Sequence, residues 1–179
     1  ELETVPSGYT VVILSHAGLS SYDLSTSFAY IANLMDAVKA RGTVTITINE
    51  TQYSFDYTAV NYDIACAITG HVHYDANVAT SGGIQVISTT CDRASVSTSG
   101  NVMKTVRAIG TIGEHAFDVV QIDKTNRKIY MTRIGGSTVG ASYDEETGKV
   151  YDTEAGTGTE YTGAEWIMHS PYKDREFSY

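Results

Sequence analysis

The chain has 179 residues, of which 42% are hydrophobic and 18% charged, and a formal net charge of −9. Length and composition point to one domain with a real core and exclude global disorder. The acidic balance argues against nonspecific binding to nucleic acid or an anionic membrane, and no run approaches the roughly 20 apolar residues of a membrane span.

In chain order, Tyr9 to Leu14 is a short apolar, β-branched run, the pattern of a buried strand. It ends at Ser15-His16-Ala17-Gly18, a polar loop in which Ser15 is expected to hydrogen-bond locally. Leu24, Phe28, Ile31, Met35 and Val38 then recur at helical spacing, with Asp23 as N-cap and Gly42 just past the C-terminus. Two alternating segments, Val44-x-Ile46-x-Ile48 and Tyr53-x-Phe55-x-Tyr57, flank Asn49-Glu50 and predict a β-hairpin. Asp63 to Ile68 is a second continuous apolar strand, ending at Thr69-Gly70-His71-Val72-His73, and Ile84 to Ile87 follows. Residues 93–104 read as a polar loop. Phe117 to Ile122 and Lys128 to Ile134 form a closing hairpin around Lys124-Thr125-Asn126. Residues 136–173, rich in Gly, Thr, Tyr and Glu, read as a surface insertion in a single domain spanning 1–179, with a possible small hairpin turning at Thr147-Gly148. The expected class is α/β or α+β, β-rich with one main helix.

Three histidines stand out by position. His16 follows one apolar strand, and His71 and His73 follow another. Ligands of α/β sheets gather at the carboxyl ends of strands. Neutral imidazole suits Zn, Fe and Mn, and residues i and i+2 of an extended segment point the same way, so His71 and His73 can each serve one of two neighbouring metals. Gly70 is expected to let the backbone turn sharply there. Asp75 and Asp92 are candidates to orient these ligands, with ordinary turn roles as the alternative. His115 and His169 read as structural or exposed, and Ser15, His16 and Asp118 form no recognisable nucleophile arrangement. Cys66 lies in an apolar run and reads as a buried small hydrophobe. A Cys66–Cys91 bridge has nothing to support it, so cysteine usage leaves the compartment open. A soluble chain is expected, with a cytoplasmic setting favoured.

The segments VVILSHAG (11–18) and ITGHVHYD (68–75) resemble the last two metal-ligand motifs of calcineurin-like metallophosphoesterases. Residues 107–135 and the ending DREFSY resemble the C-terminal part of bacterial and phage-associated members. The resemblance implies a dinuclear centre of two divalent ions (Mn, Fe or Zn), with His16 and His71 on one and His73 on the other. It implies a phosphomono- or phosphodiester substrate. It also implies a four-layer α/β/β/α sandwich, of which this chain supplies about one sheet and part of a helical layer.

The family's Asp-x-His, Gly-Asp-x-x-Asp and Gly-Asn-His-Asp/Glu motifs do not occur in this sequence. All belong upstream of His16, and the sequence opens on Glu1, so a C-terminal portion of such an enzyme is expected. Its partner would be the missing N-terminal segment of the same domain, and alone it would have little phosphatase activity. Two other readings stand beside this one. One is a non-catalytic binding or structural module that keeps the fold. The other is a mononuclear structural site on the same three histidines.

Overall fold

The computed structural model describes residues 2–16, 26–70, 76–89, 116–135, 141–144, 149–152, 160–162 and 174–179. The two apolar runs become strands β1 (Thr10–Ser15) and β4 (Asp63–Thr69), which pair in parallel. Strand β6 (Gln85–Ser88) lies parallel on the other side of β4, and β5 (Ala76–Ala79) closes the sheet antiparallel to β6, giving the order β1-β4-β6-β5. The register slips once: Val11 faces Ile64 but Val12 faces Cys66, so Ala65 is an extra, bulged residue. The bulge changes which side of the sheet the later residues serve. Ile64 and Ala67 join a core on one face, while Ala65 and Cys66 join a core on the other.

The first face is covered by helix α1 (Thr26–Ala40) and by the hairpin of β2 (Thr43–Ile48) and β3 (Thr51–Asp56). Phe28, Met35 and Val38 are buried to 1% exposure or less, and Ile31 is half-buried, as the helical spacing predicts. Asp23 and Leu24 lie outside the described residues. At the other end the structure corrects the cap: Arg41, not Gly42, takes the left-handed position, with φ 52°. The Gly42 amide donates to Ala37 O at 3.0 Å and the Arg41 amide to Val38 O at 3.1 Å, the paired bonds of a Schellman motif. Arg41 tolerates this conformation because its guanidinium donates to Val38 O at 2.8 Å and reaches the Asp63 carboxylate. Along the same helix, Asp36 accepts from Thr80 Oγ1 and from the Gly82 amide, fastening the turn before β6 to α1.

In the hairpin, Asn49 and Glu50 both have positive φ, 48° and 64°. This is the two-residue turn that matches strand twist. Val44, Ile46 and Phe55 pack inward, and Thr45 and Ser54 share a hydrogen bond of 2.9 Å on the exposed side.

The second face is covered by another sheet, built from β7 (Ala116–Asp123), β8 (Lys128–Gly135) and β12 (Asp174–Ser178) in the order β12-β8-β7. Ile129 and Met131 of β8 meet Ala65, Cys66 and Ile87 of the first sheet. Full burial of a side chain of this size contributes about 1.5–3 kcal/mol. Strands β9 (Ala141–Asp144), β10 (Lys149–Asp152) and β11 (Glu160–Thr162) form a separate small antiparallel sheet. The fold is thus mixed α+β and strand-rich, with one α-helix among the described residues. None of those residues forms a helix long and apolar enough to cross a membrane.

Asp63, at the start of β4, joins all three layers. Arg41 reaches it from the end of α1 at 3.4 Å, and Arg127 from the β7–β8 turn at 2.6 Å. Arg127 also has positive φ, 54°, and stacks over the Tyr179 ring. The hydrogen bond from Arg127 holds the Asp63 carboxyl below the usual aspartate range. A carboxyl depressed in the folded state contributes stability above its unfolded pKa, and that contribution is lost as pH falls through the folded value. Urea titrations at neutral pH and at about pH 3 are expected to show a smaller acid loss of stability in Asp63→Asn than in the wild type; equal losses would remove Asp63 from this role. Separately, Glu50→Gly relieves a side chain held in the left-handed region and is expected to raise stability by about 1 kcal/mol, read from the urea midpoint at constant slope.

A candidate metal-ligand edge at the ends of β1 and β4

The hairpin and helix are local structures, but the candidate site depends on two strands distant in sequence. Strands β1, β4 and β6 all run the same way and end together: Ser15 is in register with Thr69, and Thr69 with Ser88. Thr69 and Ser88 share a buried hydroxyl–hydroxyl hydrogen bond of 2.9 Å, and the Thr89 amide donates to Thr69 O at 2.9 Å. Ser15 is therefore the last residue of a strand, not part of a loop. Just past this edge the Gly70 amide donates to His16 O at 3.0 Å, which carries the sheet pairing one step beyond the strands. His16 is exposed on the bend that follows.

This edge is where the sequence places its three histidines. His16 is described; His71 and His73 lie outside the described residues, as do Asp75, Cys91, Asp92, His115 and His169. Among the described residues no group of three or more His, Cys, Asp or Glu side chains is close enough to hold a metal ion. Gly70 differs from expectation. Its backbone is not left-handed, unlike that of Gly8, Gly83 and Gly135. A β-carbon on it would stand 3.6 Å from the His16 carbonyl oxygen, an ordinary contact.

Cys66 is a free, fully buried thiol, as its apolar run predicts, and burial pushes its pKa up to about 11. At that value it is a poor nucleophile and metal ligand near neutral pH.

A second polar feature escaped the sequence reading. Asp118 of β7 is buried and receives two hydrogen bonds from Arg133 of β8, Nε at 2.9 Å and Nη2 at 3.0 Å. Arg175 Nη2 of β12 stands 2.7 Å from the same carboxylate. The three side chains are only 1–6% exposed. Arg127 faces Asp63 at the start of β4, and Ile129 and Met131 pack on Ala65 and Cys66. Strand β8 therefore follows the direction of β4, and Arg133 lies toward the carboxyl-end edge. The signal was parity: Asp118 shares the phase of Ala116 and Ile122, which meet the core, and Arg133 that of Ile129 and Met131. A charge on an inward phase needs a buried partner.

Two glycine substitutions separate tight from roomy backbone. Gly70→Ala is expected to cost less than about 1 kcal/mol, since neither space nor backbone angle opposes it. Gly82→Ala places a β-carbon 2.6 Å from Asp36 Oδ1 and is expected to cost about 1–3 kcal/mol by displacing that clamp. Urea denaturation of both variants checks the contrast, which fails if the order is reversed.

Comparison with family models, with curated proteins and with solved structures finds no match.

Proposed function

We propose that the chain is the C-terminal part of a two-metal phosphoesterase of the calcineurin-like kind, with His16, His71 and His73 as ligands. The observation that carries this reading is the hydrogen bond from the Gly70 amide to His16 O at 3.0 Å. It ties the backbone of one histidine motif to the residue that immediately precedes the other. Adjacent Cα atoms are 3.8 Å apart across a trans peptide, so His71 starts one step from a group already fixed beside His16. The donor set fits: imidazoles at the carboxyl end of parallel strands suit borderline divalent metals.

Divalent ions held there would supply Lewis-acid stabilisation to a phosphoryl group. The chain's own contribution is positional. The three parallel strands fix the backbone of the edge, and the exposed bend presents His16 toward solvent and substrate. The inter-sheet core behind the edge keeps water out of the layer beneath. In this reading the remaining ligands come from an upstream segment of the same domain, which also completes a four-layer α/β/β/α sandwich.

Metal content after equilibration with Mn²⁺ or Zn²⁺ and desalting, read by plasma mass spectrometry, tests the assignment. The wild-type chain is expected to retain at most one weakly held ion, and His71→Ala less. Turnover of p-nitrophenyl phosphate and its bis-ester by this chain alone is expected to be near background. Equal, non-zero metal content in the wild type and a His16/His71/His73 triple alanine variant would overturn the ligand set. Strong metal-dependent turnover by this chain would overturn its being a partial site.

A further inference from the structure

The buried Asp118–Arg133–Arg175 cluster has no part in the proposed metal chemistry, and its position in the chain is informative. Arg133 lies two residues before β8 ends, and Arg175 is the second residue of β12. Between those strands the chain makes a 38-residue departure, residues 136–173, yet β8 and β12 are direct antiparallel neighbours. Their register is unbroken from Asp174↔Thr132 to Ser178↔Lys128. The chain leaves at Gly135, whose φ of 94° is one that side-chain-bearing residues rarely adopt, and it returns in the adjacent lane. Within the departure, β9, β10 and β11 hydrogen-bond with one another, and among the described residues they have no register with β8 or β12.

From these observations we infer that residues 136–173 are a self-contained excursion, latched at its base by Asp118, and that the domain folds without them. One carboxylate on β7 holds an arginine from each of the two strands that bracket the excursion. Exit and re-entry are therefore fixed from within the sheet, whatever the intervening residues do. Gly135 and Asp174 are roughly 11 Å apart, from three residues of rise and one inter-strand spacing. A linker of about five residues spans that gap. The sheet needs only a short turn at this point, so the extra length is free to serve recognition instead of folding. This inference does not depend on the metal-site reading.

The test replaces residues 136–173 with Gly/Ser linkers of about five and about eight residues and follows thermal unfolding by far-ultraviolet circular dichroism. At least one excised chain is expected to keep a single sharp transition, with a midpoint within roughly 5 °C of the full chain. Asp118→Asn is expected to lower the midpoint by roughly 10 °C in both the full and the excised chain, because it leaves two buried guanidinium groups facing a neutral amide. Loss of cooperative unfolding with both linkers would overturn the excursion. An unchanged midpoint in Asp118→Asn would overturn the latch.

Discussion

Strand β4 is buried on both faces, and the other layers take their places from that fact. Only Asp63 and Ile68 are half-buried, and the residues from Ile64 to Ala67 are sealed between the helix-side core and the inter-sheet core. A backbone so enclosed must satisfy its amides and carbonyls sideways. It does so with β1 on one side and β6 on the other, both parallel to it. Parallel pairing requires crossover connections. The helix and the β2–β3 hairpin occupy one of these, and so they cover the first face. The second sheet then covers the other face through Ile129 and Met131.

Charge secures what apolar burial arranges. Two arginines in left-handed backbone conformations, Arg41 and Arg127, converge on Asp63 from different layers. For non-glycine residues that conformation is costly, and it persists where the side chain has a fixed destination. At the other end of the second sheet, Asp118 draws Arg133 and Arg175 together in near-complete burial. One end of the inter-sheet layer is thus pinned at its solvent boundary and the other from inside.

Much of this was legible in the residues. The apolar runs at 9–14 and 63–68, the helical stripe from Phe28 to Val38 and the Asn49-Glu50 hairpin all became the elements that their spacing predicts. Three strands escaped it. Strand β5 is four residues long with two alanines, β11 is three residues long, and β12 carries three charges in five residues, so none shows a hydrophobic period. The helix cap was misplaced because glycine is the usual left-handed residue, whereas Arg41 gains two hydrogen-bonding partners there. For the site, sequence reasoning located the edge but not the buried arginines, whose meaning depends on which way a strand faces. The Ala65 bulge is equally silent in sequence, since nothing in Ile64-Ala65-Cys66-Ala67 marks the extra residue.

The parallel pairing of β1 with β4 also has a kinetic side. Thr10 meets Asp63, and everything between them, including a helix and a hairpin, must be looped out before the first hydrogen bond of that ladder forms. Non-local pairings of this kind repay their closure entropy late, whereas α1 and the β2–β3 turn assemble from neighbours in sequence. On a chain emerging from the ribosome, β1 waits with its apolar residues uncovered until β4 has been made, and β4 stays open on its far side until β6 follows. The edge that carries His16 is thus among the last features of this sheet to acquire its shape.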